Sequence, residues 1–296
     1  MTGTASPRTW NLSLPGGRRL ELGDRPQVMG ILNITPDSFS DGGLWLAPEK
    51  AVERALQMLE EGAVILDLGA ESTRPGGGVY GDGARTLTPD EELERLMPVL
   101  EALRRATDAI LSVDTRKGPV AKAALDAGAD LINDVGGLSD DGLVKAVAEA
   151  GCPVVVMHSR GDLSTMQRQI AFDDVVAEVC GELRRAGERG RSLGLAEEQL
   201  IYDPGIGFGK TRAQNLQLIA RLDALAALGR PLLLGASRKS FIAPPGGPPI
   251  PPDARLGGSL ATVGWAAKQG TSIVRVHDVR ETVQFLDIWR SIDLAL

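Results

Sequence analysis

Short apolar runs alternate with amphipathic helical patterns along almost the whole chain. Eight runs are visible, at 27–32, 63–68, 109–113, 129–132, 152–157, 200–202, 231–235 and 271–276. Helical patterns lie between and after them, at 47–61, 89–105, 119–127, 141–150, 172–189, 212–228, 253–268 and 279–292. Strands that alternate with helices build a parallel sheet. Eight such units in 296 residues predict an α/β fold, a (β/α)₈ TIM barrel, with an open doubly wound sheet as the alternative.

Polar side chains at the ends of the runs separate these two folds. They are Asn33, Asp67, Asp114, Asn133, His158, Asp203, Ser237, and Arg275 with His277. An open sheet needs such groups only near its switch point, whereas all eight strand ends of a barrel meet at one mouth. The number of polar ends therefore favours the barrel. An alternating segment at 9–21 predicts a short N-terminal β-hairpin that plugs the bottom of the barrel. We expect one domain, 1–296, with the barrel starting near residue 25.

Charge and cysteine content restrict the class of protein. The net charge is −7 and no basic cluster is present, which argues against a nucleic-acid surface, although a few local cations can still bind a small anion. Cys152 and Cys180 form no CxxC motif, so we expect no disulfide framework and a reducing compartment. No segment approaches ~18 apolar residues and the first ten residues contain no apolar signal region. These features predict a soluble, cytoplasmic protein.

Several segments resemble catalytic motifs but fail in detail. The run 204–211 ends like a P-loop, but Pro204 occupies the place of the first glycine in GxxxxGK[ST]. No GxGxxG follows the first strand, and Ser237 lies in GASRK rather than GxSxG. Two histidines and no HExxH motif argue against a His-cluster metal site. Nucleotide binding, serine hydrolysis and zinc proteolysis are therefore disfavoured.

The remaining polar groups at the strand ends suit a substrate that has both a ring with polar edges and an anionic group. Asp114, Asn133 and Asp203 suit a flat heterocycle that presents several N–H donors, because each buried polar edge needs a partner. Cationic side chains suit an anion at the same mouth, such as a phosphate ester. The candidate cations are Arg74, Arg238, Lys239, Arg275 and His277.

Other polar and aromatic residues are explained by a structural role as well as by ligand binding. We expect Asp67 and Asp134 to be helix N-caps, and Arg116 and Lys117 to lie on a solvated helix start. His158 fits a hydrogen-bonded strand-end histidine better than a ligand. Tryptophans are expected in the core or at an interface rather than against a ligand, at Trp45, Trp265 and Trp289.

Three loops interrupt the regular alternation. The first strand passes at Asn33 into the polar loop 33–43, which is where α/β barrels often keep functional groups. The loop 76–89 is long and rich in glycine, and the segment 243–252 is almost entirely proline and glycine. Long loops in compact domains are commonly functional or mobile.

Seven segments contain most of these polar residues. They read NITPDSFSDGG at 33–43, GAESTRPG at 69–76, SVDT at 112–115, IND at 132–134, DPGIGFGK at 203–210, SRKSF at 237–241 and RVHD at 275–278. In this order they resemble the motifs of the dihydropteroate synthase family, from residue 29 to residue 278. No single segment is specific, but the set is.

The resemblance implies a barrel transferase of folate biosynthesis. Such an enzyme joins 6-hydroxymethyl-7,8-dihydropterin diphosphate to para-aminobenzoate, releasing diphosphate and forming 7,8-dihydropteroate. The resemblance also implies Mg²⁺ as cofactor and a homodimer formed through the late helices. Sulfonamides would compete for the para-aminobenzoate site.

Roles for individual residues follow from the same resemblance. The pterin diphosphate would be bound by Thr73, Asp114, Asn133, Asp203, Lys239, Arg275 and His277. The para-aminobenzoate site would be shaped by Thr73, Arg74, Pro75, Phe208, Ser237 and Lys239. Asn33 would be a ligand of Mg²⁺ and face the diphosphate. Catalysis would depend on Asp203, Lys239, Arg275 and His277.

The chemistry of these substrates predicts a dissociative, SN1-like displacement. The leaving group concentrates negative charge, which cations stabilise as the C–O bond breaks. The dihydropterin can delocalise the cation left on its methylene carbon, while the first two loops exclude water from it. The weak aniline nucleophile needs positioning more than it needs a strong base.

The sequence departs from the family pattern at three places. Residues 157–161 read MHSRG where the family usually has MHMQG, the loop 76–89 contains an additional GDG, and the Pro-rich segment 243–252 replaces a more ordinary approach to a helix.

Two alternative functions stay open. A corrinoid-dependent pterin methyltransferase is disfavoured by the TRP and SRK segments at 73–75 and 237–239. A pterin-binding paralogue without turnover is permitted only by the unusual loop 76–89.

Overall fold

The computed structural model describes residues 9–23, 25–34, 47–71, 86–161, 166, 170–244, 246–248 and 250–295. Within these ranges the strands are β1 (Trp10–Ser13), β2 (Arg19–Leu22), β3 (Gln27–Asn33), β4 (Ile65–Gly69), β5 (Ile110–Asp114), β6 (Leu131–Asp134), β7 (Val154–Met157), β8 (Leu200–Asp203), β9 (Leu233–Leu234) and β10 (Ile273–Val276). The helices are α1 (Ala47–Glu60), α2 (Pro89–Ala106), α3 (Gly118–Asp126), α4 (Asp141–Ala150), α5 (Val175–Ser192), α6 (Arg212–Ala220), α7 (Leu222–Ala226), α8 (Leu256–Lys268) and α9 (Val279–Asp293).

Strands β3 to β10 form one parallel sheet in the order β8-β7-β6-β5-β4-β3-β10-β9. The two outer strands also meet, because Tyr202 of β8 forms a parallel bridge with Leu232, the residue before β9. The Tyr202 amide donates to the Pro231 carbonyl over 2.9 Å. This contact closes the sheet into a ring without a free edge. The prediction of a (β/α)₈ barrel is confirmed, and the open doubly wound sheet is wrong.

The barrel strands are apolar along their length because both of their faces are buried. In β7, Val154 and Val156 pack in the large cluster with the surrounding helices, whereas Val155 packs inside the barrel. Adjacent strand residues point to opposite faces, so a fully buried strand reads as a continuous apolar run. A polar residue within such a run must find its partner inside the protein.

The predicted N-terminal hairpin is present as β1 and β2, which pair antiparallel. Its four buried leucines pack against one residue from nearly every barrel strand, forming a cluster of Leu12, Leu14, Leu20, Leu22, Met29, Ile65, Leu131, Val155, Ile201, Leu233 and Ile273. Arg18, in the hairpin turn, forms an ion pair with Asp130, which lies just before β6. The hairpin therefore covers the amino ends of the strands, as predicted, and the opposite end of the barrel forms the mouth.

Several elements differ from their predicted bounds for local reasons. The helix predicted at 172–189 starts later, because Asp174 caps the amides of Val176 and Ala177. The helix predicted at 212–228 divides into α6 and α7 at Arg221, whose φ of −115° and ψ of 36° leave the helical region. The strand predicted at 231–235 contains two residues, and a 3-10 turn at Pro252–Arg255 precedes α8. Among the helices within the described ranges, none has the length and apolar character needed to cross a membrane.

Candidate active site

Strand register brings predicted site residues to the carboxyl end of the barrel. Asp114 ends β5 and pairs with Gly69 of β4 and with Asn133 of β6. Asp203 ends β8 and pairs with Met157 of β7. Asp114, Asn133 and Asp203 are 7%, 3% and 6% exposed. Because the carboxyl ends of parallel strands open to the same side, these three polar side chains line one mouth.

Arg275 of β10 crosses the barrel to two of these strands. Its Nε donates to Asp67 Oδ2 over 2.5 Å, and its Nη2 donates to Asp114 Oδ2 over 2.8 Å. Although burial favours loss of its proton, the Asp67 and Asp114 carboxylates raise the pKa of Arg275 above its usual value. Arg275 therefore remains a cation at the mouth, held in a fixed orientation.

Asp67 is the third residue of β4 and is completely buried. Its carboxylate accepts the Ser112 hydroxyl over 2.5 Å and the Asn133 amide nitrogen over 3.0 Å, in addition to Arg275 Nε. The prediction that Asp67 caps a helix is wrong, because its side chain is directed into the barrel, where three strands supply donors to it. A buried carboxylate requires such donors to offset its loss of hydration.

The contacts of Asp67 and Arg275 leave acceptors for a ligand. A carboxylate only accepts, so the Asn133 nitrogen faces Asp67 and its amide oxygen is left for another donor. Asp114 Oδ1 is buried and has no hydrogen-bond partner among the described residues. Burial raises the pKa of Asp114, an effect that the Arg275 charge opposes. An unpaired buried acceptor is costly unless a ligand supplies an N–H, so this edge of the mouth suits a donor-rich heterocycle.

Asp203, Lys239 and Phe208 form another part of the mouth. Asp203 Oδ1 accepts the Gly205 amide over 2.7 Å. Lys239 Nζ donates to the Ile206 carbonyl and lies 4.6 Å from the centre of the Phe208 ring. Burial lowers the pKa of Lys239 to about 8, although the Asp203 charge opposes this. Burial likewise raises the pKa of Asp203, opposed by the Lys239 charge. A cation beside an apolar ring and a carboxylate suits an aromatic ligand with polar substituents.

Ser237 and His277 are joined by two hydrogen bonds. The His277 amide donates to Ser237 Oγ over 3.2 Å, and Ser237 Oγ lies 3.1 Å from His277 Nδ1. The hydroxyl oxygen has two acceptor sites, so Ser237 can either accept a proton from Nδ1 or donate its own to it; in the second arrangement the imidazole carries its proton on Nε2. Burial, followed by the charges of Arg275 and Arg238, lowers the pKa of His277 to about 3. The sequence placed His277 among the cations, whereas the lowered pKa favours a neutral imidazole in the free protein.

Arg238, another cation predicted for the anion site, forms an ion pair within the protein. Its guanidinium pairs with Asp278, with Nε donating over 3.0 Å. Its φ of 58° lies in the left-handed region, which is strained for a residue other than glycine. Contacts on both sides hold this backbone: its amide donates to Ser259 Oγ over 2.9 Å, and Arg255 Nη1 donates to its carbonyl over 2.7 Å. Arg238 thus fixes the turn between Ser237 and Lys239.

The glycine-rich loop 204–210, which resembles a P-loop, surrounds an internal cation instead of a phosphate. Lys210 is 3% exposed, and its Nζ donates to the Gly205 and Phe208 carbonyls, each over 2.9 Å, and to His158 Nδ1 over 3.0 Å. Gly205 has a φ of +66°, and a Cβ there would lie 1.9 Å from the His158 carbonyl oxygen. Only glycine fits this approach. Burial lowers the pKa of Lys210 to about 7.

His158 is a hydrogen-bonded strand-end histidine, as expected. Lys210 donates to Nδ1, so the Nε2 proton faces Glu182, whose Oε2 lies 2.9 Å away. Burial and the Lys210 charge lower the pKa of His158. Glu182 also pairs with Arg160, which lies 4.0 Å from the centre of the Phe172 ring. The arginine in the departure from the family pattern at 157–161 thus forms an ion pair with α5.

Two further structural predictions need correction. Asp134 does not cap a helix, because its two oxygens accept amides of the following turn and Asp140 caps α4. Lys117 is not solvated: its side chain is 14% exposed, and it pairs with Glu92 and, over 3.1 Å, with Glu71. Arg116 is 29% exposed and lies 3.5 Å from the same Glu71 carboxylate. These charges stabilise the polypeptide beside the mouth instead of facing solvent.

Asn33 ends β3 with an exposed side chain, next to Gly69 of β4. Thr73, Arg74 and Pro75 lie outside the described residues, as do 35–46 and 72–85, which include most of the first two loops.

Of the tryptophans predicted to be in the core or at an interface, Trp45 also lies outside the described residues. Trp265 is 41% exposed, and Trp289 stacks on Phe285. Within the described ranges, no group of three or more His, Cys, Asp or Glu side chains could hold a metal ion.

The sequence interpretation missed Lys210 and Glu182 and assigned Asp67 wrongly. A signal existed for Asp67: it is the one charged residue within the apolar run VILDL, and a charge in a strand buried on both faces needs an internal partner. Lys210 follows three alternate glycines in the run that fails as a P-loop, and no local pattern indicates that the run encloses its side chain. Glu182 gave no signal, because a glutamate on an amphipathic helix is usually solvated.

Comparison with known proteins places the chain among pterin-binding proteins. Residues 29–277 match the model of the pterin binding enzyme family. The chain is 44% identical over 272 residues to dihydropteroate synthase of Escherichia coli K12, covering 92% of this chain and 93% of that protein. It is similar to the Xanthomonas albilineans dihydropteroate synthase solved with 4-aminobenzoic acid, at 45% identity and a TM-score of 0.87 over 97% of this chain and 99% of that one. The same organism's enzyme in complex with 7,8-dihydropteroate superimposes with a TM-score of 0.80 at 39% identity, covering 96% and 98% of the two chains.

Proposed function

Because the chain belongs to the dihydropteroate synthase family of pterin-binding enzymes, we infer that it joins 6-hydroxymethyl-7,8-dihydropterin diphosphate to para-aminobenzoate, forming 7,8-dihydropteroate and diphosphate. The observation that carries this inference is the buried Asp114 Oδ1, which has no hydrogen-bond partner among the described residues, on the strand aligned with Asn133, with Lys239 and Arg275 at the same mouth. Two acceptors beside two cations match a substrate that combines an N–H-rich ring with a diphosphate.

In this proposal, Asp114, Asn133 and Asp203 accept hydrogen bonds from the pterin ring, and Lys239 donates to it. The register of β5 and β6 supports the pairing, because it aligns Asp114 directly with Asn133. A ligand that satisfies both oxygens gains hydrogen bonds to buried groups, which discriminate strongly against a ring lacking the donors. Thr73 is proposed as a further contact to this substrate.

Arg275 and His277 bind the diphosphate end in the same proposal. Arg275 uses Nε and Nη2 for Asp67 and Asp114, and its Nη1 has no hydrogen-bond partner in the described part of the chain. His277 would donate through Nε2 in the tautomer whose Nδ1 accepts the Ser237 hydroxyl. Both donors are held by the protein before substrate binds, so they need little reorganisation as negative charge accumulates on the leaving oxygen.

Mg²⁺ is proposed as the cofactor, with Asn33 as a protein ligand. The Asn33 side chain is exposed at the end of β3, and its amide oxygen is a hard donor of the kind that Mg²⁺ binds. One protein oxygen is sufficient where substrate phosphates and water supply the other positions. When bound, Mg²⁺ would neutralise charge on the diphosphate. This arrangement agrees with the absence of a three-residue metal cluster among the described residues.

The para-aminobenzoate site is proposed beside Phe208, Ser237 and Lys239, completed by Thr73, Arg74 and Pro75. Lys239 lies over the Phe208 ring, so an aromatic acid entering here would meet an apolar surface and a cation together. Sulfonamides, which copy an aromatic amine with a polar group opposite it, would compete at the same place. The proposed reaction is dissociative, with Asp203, Lys239, Arg275 and His277 as its catalytic residues. Positional isotope exchange in the diphosphate without para-aminobenzoate is expected, and its absence would contradict a dissociative step.

A homodimer formed through the late helices is also proposed, with residues 1–296 as one domain. Leu216 of α6, Trp265 of α8 and Ile288 of α9 are 40%, 41% and 59% exposed. A groove of about 390 Å³ between α6 and α8 includes Leu216 and Trp265 in its lining. Exposed apolar side chains that line one groove, as Leu216 and Trp265 do, are typical of an interface between proteins.

A magnesium titration of turnover tests the proposed site directly. Chelation by EDTA should abolish product formation, and added Mg²⁺ should restore it. Asn33→Ala should raise the Mg²⁺ concentration for half-maximal rate about tenfold, as expected for loss of one oxygen ligand. The matched control is Asn11→Ala, on the exposed face of the hairpin at the other end of the barrel. Equal magnesium dependence in the wild type and both variants would contradict the role of Asn33.

A further inference from the structure

One buried carboxylate connects the strands that present the pterin site. Asp67 accepts Ser112 Oγ from β5 over 2.5 Å, Asn133 Nδ2 from β6 over 3.0 Å and Arg275 Nε from β10 over 2.5 Å. It is aligned with Ser112, two residues before Asp114, and is 0% exposed. Asp67 therefore lies one layer below the mouth, where it can orient the residues above it without touching a ligand.

We propose that Asp67 is the positioning residue that sets the donor and acceptor pattern of the pterin site. Its carboxylate orients Asn133 with the amide oxygen toward the mouth, and it holds Arg275 against Asp114. The inference rests on the proposed function and extends it to a residue outside the binding surface.

The orientation of Asn133 follows from the chemistry of the two partners. An asparagine amide has a donor end and an acceptor end of nearly equal shape, so only its neighbours decide which end faces a ligand. Asp67 can accept but cannot donate, which leaves only the arrangement with the oxygen toward the mouth. If the amide were reversed, its NH₂ group would face the N–H donors of a pterin, and each unpaired donor would weaken binding.

The orientation of Asp114 depends on Asp67 through Arg275. Arg275 reaches both carboxylates at once, and its Nη2 occupies Oδ2 of Asp114 while Oδ1 stays unpaired among the described residues. Two hydrogen bonds from one planar guanidinium fix its direction far better than one. Without the Asp67 contact, Arg275 could rotate toward either oxygen of Asp114, and the free acceptor would no longer be defined.

Asp67→Asn is the direct test, because it keeps the shape of the side chain and replaces one acceptor by a donor. That donor would oppose the donors of Asn133 or Arg275. We expect the KM for the pterin diphosphate to rise about 10- to 100-fold, the range for losing a hydrogen bond to a buried charged group. The KM for para-aminobenzoate should change less than about threefold, since Asp67 forms no hydrogen bond or ion pair with Phe208, Ser237 or Lys239, the described residues of that proposed site. Asp67→Ser, which introduces no opposing amide, should raise the pterin KM about tenfold.

Asp130→Asn is the matched control. Asp130 is 1% exposed and pairs with Arg18 and Arg104, so it is also a buried carboxylate bound to arginine. It lies near the hairpin, at the end of the barrel opposite the mouth. A general loss of stability would affect both variants alike, whereas only Asp67→Asn should change the affinity for pterin.

Calorimetric titration with 6-hydroxymethylpterin, which lacks the diphosphate, measures the affinity of the protein for the pterin ring without turnover. The proposal expects binding by the wild type and by Asp130→Asn within about threefold of each other, and at least tenfold weaker binding by Asp67→Asn and Asp67→Ser. Equal affinity in all four proteins would overturn the role of Asp67 while leaving the proposed function intact. A wild type that neither binds this pterin nor forms dihydropteroate would instead overturn the proposed function.

Discussion

Nη2 of Arg275 lies 2.8 Å from Oδ2 of Asp114, although β3 and β4 separate their strands in the barrel. The contact therefore crosses the interior of the barrel instead of following a neighbouring pair of strands. The Arg275 side chain is 19% exposed and that of Asp114 is 6% exposed, so solvent screens the ion pair weakly. The pair contributes both to the proposed substrate site and to the stability of the barrel.

Arg275→Met should strongly destabilise the protein. The substitution leaves the carboxylates of Asp67 and Asp114 without their shared cation, and loss of one partner from a buried pair costs about 3–5 kcal/mol. Urea unfolding measures the change in the free energy of unfolding. Arg105→Met, at a 73% exposed arginine 3.9 Å from Glu101, is the control and should change this free energy by less than about 0.5 kcal/mol. Similar values for the two variants would show that Arg275 is not effectively buried.

The pKa of Lys239 predicts the pH above which activity should fall. Burial lowers its pKa to about 8, so kcat/KM should fall as the pH rises through that value and the ammonium is lost. Lys239→Arg should keep its charge and lack this alkaline fall, at a lower rate throughout.

Stability should change in the opposite direction over the same range. The folded pKa of Lys239 lies below that of the unfolded chain, so between about pH 8 and 10.4 the unfolded state binds more protons. The contribution of Lys239 to the free energy of unfolding therefore rises with pH across this window. Paired activity and unfolding measurements separate the two effects; an alkaline fall in activity that persists unchanged in Lys239→Arg would refute the assignment.

Lys210→Met should damage the loop that carries Phe208. Methionine cannot donate to the carbonyls of Gly205 and Phe208, and burying such acceptors unpaired costs about 1–3 kcal/mol. We expect a lower melting temperature and a higher KM for para-aminobenzoate, measured by calorimetry and steady-state kinetics. Lys122→Met, whose lysine is 61% exposed, is the control and should leave both unchanged. A Lys210→Met enzyme with unaltered KM would show that this lysine does not position Phe208.

Trp265→Glu tests the proposed dimer. A charge at the centre of an apolar interface must lose its hydration on association, so this variant should sediment as a monomer where the wild type sediments as a dimer. Val64→Glu adds the same charge at a 38% exposed apolar residue outside the late helices and should leave association unchanged. Dimers in all three proteins would place the interface elsewhere.

The barrel could be predicted from the sequence because its strands are buried on both faces and therefore read as uninterrupted apolar runs. The positions of Asp114, Asn133 and Asp203 followed for the same reason, since each is the residue at which such a run ends. The hairpin followed from its alternation, and its four leucines do cover the end of the barrel opposite the mouth.

What the sequence did not predict depends on contacts between distant residues. Asp67 and Arg275 are 208 positions apart, and no local pattern indicates that one holds the other. The lowered pKa of His277 depends on burial and then on the nearby Arg275 and Arg238 charges, which composition does not reveal. Lys210 was concealed because glycines suit either an anion outside the loop or a cation within it.

Formation of dihydropteroate is the measurement that tests the central claim most directly. Purified protein is incubated with the pterin diphosphate, para-aminobenzoate and Mg²⁺, and dihydropteroate and diphosphate are quantified together. The account predicts equal amounts of both products, loss of both in Lys239→Ala, and retention of both in the exposed-lysine control Lys122→Met. Tight binding of the pterin diphosphate without either product would contradict it and would identify a pterin-binding protein without turnover.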